Sequence, residues 1–228
     1  MQAKITKRLF EMQDLEYREF HSRLMPNVSK EKIIGVRTPD LRKFAKSIAS
    51  SKDASDFLET LPHQYYEEDN LHAALIIYGG YDYGQTLQHL ERFLSHIDNW
   101  ATCDMFIPPI LKTEPDETLV RCKKWLSSSH PYTVRFGLNC LMHFYLDDYF
   151  DSSHFEWVDQ IQKDDYYVRM GIAWYYSVAL VKQWEAALSH LSKQSLDKWI
   201  HNKAIQKARE SARISKTQKE ILSKLKMK

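Results

Sequence analysis

The stretch of sequence that decides the fold is VRFGL at residues 134–138, which returns as VRMGI at residues 168–172, a shift of 34 residues. A further shift of 34 residues reaches NKAI at residues 202–205, which again has a basic residue at the second position. Each copy follows a short polar loop and opens an apolar helical pattern. A single helix pair of this length cannot bury its own apolar face, so neighbouring pairs must stack. The repeat predicts one all-α domain over residues 1–228, a solenoid of stacked helix pairs.

Apolar residues at helical spacing also run through the rest of the chain. The longer patterns predict helices over residues 67–78, 83–96, 100–112, 132–146, 166–182 and 197–212. Near the N-terminus, Thr38 is expected to cap a helix whose first residue is Pro39. Gly137 and Gly171 lie inside predicted helices, where glycine costs about 1 kcal/mol relative to alanine. We attribute both glycines to the close approach of a neighbouring helix.

Charge is distributed unevenly along a chain whose net charge is only +2. Residues 198–228 carry ten Lys/Arg against two acidic residues, and residues 1–50 carry eleven against six. The middle of the chain is therefore acidic. Basic ends on an acidic middle suggest an anionic partner at particular places. The alternative is that the C-terminal segment is simply a solvated basic tail.

The sequence lacks the motifs that identify several classes of protein. We find no apolar run of about 18 residues and no signal-peptide core, so we expect a cytoplasmic protein that does not contact a membrane. Cys103, Cys122 and Cys140 form no CxxC pair and are interpreted as reduced core thiols. The ten histidines are dispersed, and neither a phosphate-binding loop nor a Gly-x-Ser-x-Gly elbow is present. We therefore expect a monomer without a metal ion or cofactor.

The basic residues of the repeat form a series of their own. If one helix of every pair lines the concave side of the solenoid, Arg135, Arg169 and Lys203 recur along that side about 10 Å apart, the usual packing distance of helices. A row of cations of this kind suits a phosphate backbone, because each neutralised phosphate releases counterions. The alternative is that these residues pair with acidic residues of the neighbouring repeat, such as Asp164 and Asp165.

Four motifs in order resemble one family. They are IGVRTPDLRK at residues 34–43, NWATCD at residues 99–104, Arg135 in its repeat, and GIAW at residues 171–174. Together they resemble the DNA alkylation repair family of HEAT-like-repeat proteins, over nearly the whole chain. The resemblance implies a right-handed superhelical solenoid of HEAT-like repeats with a curved groove for double-stranded DNA, alkylated or distorted. It further implies excision of purines alkylated at N3 or N7.

The resemblance also implies a set of catalytic residues. In active members, a tryptophan, an aspartate four residues later and a second tryptophan further on surround the sugar of the damaged nucleotide. These positions correspond to Trp100, Asp104 and Trp174. Loss of a cationic purine leaves a sugar with oxocarbenium character, and a fixed carboxylate stabilises such a charge. Indole faces stabilise it through their quadrupoles.

Other positions correspond to contacts with the DNA backbone. Arg135 matches the basic residue that touches the backbone near the damaged nucleotide. Thr38 and Arg42 match backbone-contacting positions of the Gly-x-x-Thr-Pro loop and of the helix after it, and Arg37 lies in the same loop. Tyr17 is the one plausible aromatic residue for the groove before this loop.

Two further functions remain open at the level of sequence. Some branches of the family lack excision and are thought to bind branched DNA, and the acidic middle of this chain is compatible with such a non-catalytic protein. A solenoid of helix pairs can also bind protein, as many helical-repeat proteins do.

Overall fold

A computed structural model describes residues 2–162 and 164–228 of the chain. Its described backbone contains fourteen α-helices and no strand, which confirms the all-α prediction. None of the described helices is long and apolar enough to cross a membrane. The helices group into two compact units, Met1–Glu114 and Pro115–Lys228. The prediction of a single domain over residues 1–228 stays a prediction.

The first unit is built around one central helix. Its helices are α1 (Gln2–Glu11), α2 (Leu15–Ser22), α3 (Thr38–Ile48), α4 (Lys52–Leu58), α5 (Tyr66–Tyr78), α6 (Tyr83–Leu94) and α7 (Trp100–Met105). Helix α5 contacts α1, α3, α4, α6 and α7. Most of its side chains are buried, including those of Glu67 and Glu68. The core of this unit therefore surrounds α5, and the other helices form its outer layer.

Buried Glu67 fixes the loop that precedes α3. Its carboxylate accepts hydrogen bonds from the backbone N–H groups of Ile34 and Gly35, both at 2.7 Å, and of Val36 at 3.2 Å. Burial raises the pKa of Glu67, while these three donors oppose the shift. Gly35 has φ +97°, and a Cβ there would lie 2.6 Å from the carbonyl oxygen of Asp14. Only glycine can therefore adopt this backbone conformation here without a steric clash.

The second unit contains the sequence repeat. Its helices are α8 (Pro115–Leu126), α9 (Pro131–Phe144), α10 (Ser153–Asp159), α11 (Tyr166–Lys182), α12 (Trp184–Ser192), α13 (Lys198–Glu210) and α14 (Lys216–Leu225). The three repeat copies lie in α9, α11 and α13, and α11 packs against both of the others. This side-by-side packing of equivalent helices is consistent with a stack of helix pairs.

The two glycines of the repeat lie at close contacts, as predicted. A Cβ on Gly137 would lie 3.2 Å from both Trp125 Cβ and Leu126 Cδ2 of α8. A Cβ on Gly171 would lie 3.1 Å from Leu138 Cδ1 of α9. The three cysteines are buried free thiols, which confirms their interpretation as core residues.

Two local predictions are wrong. The helix predicted over residues 100–112 ends at Met105, and a short 3₁₀ helix follows at Pro109–Thr113. Pro108 and Pro109 cannot donate a backbone hydrogen bond and disfavour a helical residue before them, so the α-helix cannot continue. At α3, the N-cap is Arg37, in extended conformation, and Thr38 is the first helical residue rather than the cap.

Candidate nucleic-acid interface

Helix α7 carries the first tryptophan and the aspartate predicted from the sequence. The side chain of Asn99 caps this helix by accepting a hydrogen bond from the backbone N–H of Thr102 at 2.8 Å. The hydroxyl of Thr102 donates to Asn70 Oδ1 of α5 at 2.8 Å, and both residues are buried. One side of α7 is thus anchored to the central helix. Trp100 and Asp104, four residues apart, share a face of it.

Neither of these two side chains is buried in the core. Trp100 is half-buried and packs against a cluster of buried residues that consists of Met25, Val28, Ile33, Tyr66 and Ala101. Its Nε1 donates a hydrogen bond to the carbonyl oxygen of Leu24 at 3.3 Å. Asp104 is also half-buried. Each keeps a part of its side chain accessible to a ligand.

Tyr17 and Arg37, which the sequence predicts separately, are in direct contact. The guanidinium carbon of Arg37 lies 5.1 Å from the centroid of the Tyr17 ring. Nε and Nη2 of Arg37 both lie 2.8 Å from Asp14 Oδ2. The pKa of Asp14 is lowered by the hydrogen bond from the backbone N–H of Tyr17 and then by the one from Arg37. Both predicted side chains are thereby held in place beside α2.

A chain of ring contacts joins Tyr17 to the cluster beneath Trp100. The Tyr17 ring stacks on His21 with centroids 5.1 Å apart, and His21 Nε2 lies 3.0 Å from the hydroxyl of Tyr66. Burial lowers the pKa of His21, so this imidazole is neutral at pH 7. Tyr66 belongs to the Trp100 cluster. Within the first unit, the structure thus connects two predicted positions through His21, a residue that the sequence analysis missed.

Helix α3 presents a cationic surface. Thr38 and Arg42 line a surface cavity of about 420 Å³ together with Pro39, Lys43 and Lys46. The three basic side chains are exposed. Thr38, Arg42 and Lys46 follow one another at intervals of four residues along one side of the helix. Lys43 and Lys46 were missed by the sequence analysis, although their spacing from Arg42 was visible.

In the second unit, Arg135 is in contact with Trp174. Arg135 is only 5% exposed, and its Nη1 donates a hydrogen bond to the carbonyl oxygen of Tyr167 at 2.6 Å. Its guanidinium carbon lies 5.9 Å from the ring of Trp174, which is half-buried. The guanidinium therefore helps to orient this indole. A contact of Arg135 with a phosphate stays a prediction.

Arg169, one repeat further on, is engaged by carboxylates. It forms ion pairs with Asp164 at 3.0 Å and with Asp197 at 2.6 Å. The alternative to phosphate binding was pairing with an acidic residue of the neighbouring repeat, and Asp197 at the start of α13 forms such a pair, whereas Asp164 precedes Arg169 in the same repeat. Asp165 instead caps α11 by accepting from the backbone N–H groups of Tyr167 and Val168.

Trp199 is an aromatic residue that the sequence analysis missed. Its ring lies 5.1 Å from the guanidinium carbon of Arg169 and 5.7 Å from Nζ of Lys203, and it has the exposed ring of Tyr166 6.0 Å away. The Nζ of Lys203 also donates to Gln206 at 2.9 Å. The pairing of arginine with tryptophan seen at Trp174 thus recurs in the next repeat. Within the described ranges, no group of His, Cys, Asp or Glu side chains could hold a metal ion.

The fold and these contacts are those of an all-helical protein with an internal repeat, in which the half-buried indoles of Trp174 and Trp199 lie beside basic side chains. The family model for DNA alkylation repair enzymes matches residues 5–207, almost the whole chain. The protein belongs to this family, and membership supports a role in DNA alkylation repair. No curated protein matches the chain closely enough to count as a relative.

Proposed function

We propose that this protein is an alkylpurine DNA glycosylase, which binds double-stranded DNA and hydrolyses the N-glycosidic bond of purines alkylated at N3 or N7. The main support for the proposal is the way in which α7 is anchored and displays two side chains, in a chain that belongs to this family. That helix is anchored through Asn99 and Thr102, and it presents Trp100 and Asp104 on one face, each half-buried. A rigid support of this kind suits a catalytic carboxylate.

Departure of the alkylated base requires little catalysis by the protein. Alkylation at N3 or N7 gives the purine a positive charge, so it departs without much help from a general acid. The sugar then acquires oxocarbenium character, and the carboxylate of Asp104 stabilises that charge and aligns the attacking water. Trp100, on the same face of α7 as Asp104, presents its indole face to the developing cation. The family resemblance assigns the same role to Trp174. The reaction acts on the sugar, so it needs neither a metal ion nor a deep pocket for the base.

Basic residues would hold the DNA backbone. In the first unit, Arg42, Lys43 and Lys46 line one cavity with the hydroxyl of Thr38, a combination of donors and cations that binds phosphate. In the second unit, Lys203 lies beside Trp199, whereas Arg169 is already engaged by Asp164 and Asp197. Action as a monomer in the cytoplasm is part of the same proposal.

The test is release of free base from methylated duplex DNA. Wild-type protein is expected to release 7-methylguanine or 3-methyladenine, and Asp104→Asn is expected to lower the rate about 10²- to 10³-fold, the loss typical of one preorganised electrostatic group. Asp116→Asn removes the same charge from an exposed position on α8 and should leave the rate unchanged. Release by wild-type protein at no more than the spontaneous rate would overturn the proposal.

A non-catalytic protein that binds distorted or branched DNA is the second candidate. It is favoured by the cationic surface of α3, which could bind phosphate without any part of α7. This candidate predicts salt-sensitive binding to branched DNA without release of base. Arg42→Glu should then weaken binding, while Asp104→Asn should have no effect on it.

A further inference from the structure

A cavity lies beside Trp174 in the second unit. Its volume is about 260 Å³. The side chains that matter to its chemistry are Trp174, Ser177 and Val178 of α11, Lys207 and Glu210 of α13, and Arg213 in the connection after α13. The residues from α11 thus contribute an indole with an aliphatic neighbour, and those from α13 and the connection after it contribute two cations and one carboxylate.

The cavity has two cations and only one carboxylate. Lys207 is half-buried and Arg213 is exposed, and in the part of the chain that the structure describes neither forms an ion pair. Glu210 is the carboxylate of the cavity, and it accepts a hydrogen bond from Gln206 Nε2 at 3.0 Å. Arg169 differs, because two carboxylates already neutralise it. The cavity thus retains an excess of one positive charge.

The volume restricts what can bind. Pockets for drug-sized ligands begin at about 300 Å³, so this cavity suits one small group rather than a whole nucleotide. An indole and an aliphatic side chain in the same cavity as a lysine and an arginine fit a ligand that has both an apolar and an anionic part. A deoxyribose with its attached phosphate has this character. Arginine binds phosphate oxygens through paired N–H donors, and lysine acts as a point charge.

We propose that Lys207 and Arg213 bind one backbone phosphate of the DNA next to the sugar that contacts Trp174. This assignment rests on the proposed function, and it extends the DNA interface into the basic C-terminal segment. Arg213 lies beyond residue 207, where the family match ends. The segment would therefore contribute a contact that the family model does not contain.

The experiment is the salt dependence of binding to an unmodified DNA duplex, measured by fluorescence anisotropy over a series of salt concentrations. The plot of log K against log salt has a negative slope, and loss of one phosphate contact reduces the magnitude of that slope by about 1. The double variant K207A/R213A is expected to show this fall. Arg209→Ala is the matched control, because Arg209 is exposed on α13 about 200° around the helix from Lys207. Glu210→Gln should strengthen binding, since it removes the negative charge from the cavity.

The outcomes separate this assignment from the function on which it rests. A fall in slope for K207A/R213A but not for Arg209→Ala supports the phosphate contact. Equal slopes for K207A/R213A and wild type overturn it and leave the proposed function intact. An equal fall for K207A/R213A and Arg209→Ala also overturns it, because the effect is then one of general charge. Absence of binding by wild-type protein overturns DNA binding itself and the assignment with it.

Discussion

At the scale of single residues, Arg135 shows that a basic side chain of the repeat can have a structural role within the protein. The residue is only 5% exposed, and its guanidinium contacts the carbonyl of Tyr167 and the ring of Trp174. Removing a charge from water is costly unless hydrogen bonds compensate it. Arg135 therefore acts first on the orientation of Trp174, whatever it contributes to DNA binding.

Arg135→Met is expected to lower the free energy of unfolding by about 2 kcal/mol, because it leaves the carbonyl of Tyr167 without its charged donor. Urea denaturation monitored by circular dichroism measures this. Arg169→Met is the control and should cost less than about 1 kcal/mol, since its ion pairs lie nearer to solvent. Wild-type stability of Arg135→Met together with weakened DNA binding would show that the guanidinium serves the DNA instead.

Two histidines in contact, half-buried His63 and buried His72, pack against phenylalanine rings in the first unit. His63 stacks on Phe57 with centroids 4.4 Å apart, His72 stacks on Phe93 at 4.3 Å, and His63 Nε2 lies 2.8 Å from His72 Nδ1. Burial, with a smaller contribution from His96, lowers the pKa of His63 to about 4. Burial and then the charge of His63 lower the pKa of His72 well below its usual value. Both rings are therefore neutral in the folded protein at pH 7.

This pair makes stability depend on pH in a defined direction. The unfolded chain binds a proton near pH 6.5, whereas folded His63 does so only near pH 4, so its contribution to stability is lost as pH falls between these values. The difference in unfolding free energy between wild type and His63→Gln should shrink by on the order of 2 kcal/mol from pH 7 to pH 5. Titration of other groups, such as Asp69 whose pKa burial raises to about 8, cancels in this difference. An unchanged difference between pH 7 and pH 5 would contradict the assignment.

At the scale of helices, the positions of α9, α11 and α13 follow from the sequence because apolar periodicity is a local property of the chain. The end of α7 at Met105 could have been predicted as well, since Pro108 and Pro109 are visible in the sequence. The contact of His21 with Tyr66 joins residues 45 positions apart, and no local pattern reports it. The helices that carry the candidate site could thus be predicted, whereas its contacts between helices could not.

The two repeat glycines are equivalent in sequence but not in packing. A Cβ on Gly137 meets Trp125 Cβ at 3.2 Å and the backbone nitrogen of Leu126 at 3.3 Å, atoms that cannot move without shifting α8. A Cβ on Gly171 meets the end of the Leu138 side chain at 3.1 Å, and its next contacts, to Arg135, are at 3.5 Å or more. A side-chain end can move by a few tenths of an ångström at little cost.

Gly137→Ala should therefore destabilise the protein by about 1–2 kcal/mol, because overpacking exceeds the gain in helix propensity. Gly171→Ala should lie within about 0.5 kcal/mol of wild type or be more stable, since the gain of about 1 kcal/mol in propensity offsets a small clash. The midpoints of urea denaturation compare the two variants directly. A larger loss for Gly171→Ala than for Gly137→Ala would contradict this account of the packing.

At the scale of the whole molecule, the basic C-terminus is a packed helix rather than a loose tail. Leu222 of α14 is fully buried, and His201 of α13 donates a hydrogen bond to the carbonyl of Leu225 at 3.0 Å. The side-chain amide of Asn202 also bonds to the backbone of Met227, as donor and as acceptor, both at 3.0 Å. Charge counts along the sequence cannot distinguish these arrangements, because a solvated tail and the outer face of a terminal helix have the same composition.

Packing and charge in this segment can be separated by two variants. Leu222→Ala is expected to cost about 2–5 kcal/mol of stability, the range for a buried leucine, because α14 would lose its contact with the core. Replacement of the exposed Lys216, Lys224 and Lys226 by alanine should change stability by less than about 1 kcal/mol, yet weaken DNA binding most at low salt. Thermal melts and binding isotherms at two salt concentrations test both expectations. An unchanged melting temperature for Leu222→Ala would mean that α14 does not stabilise α13. Unchanged DNA affinity of the lysine variant would exclude Lys216, Lys224 and Lys226 from any electrostatic role in binding.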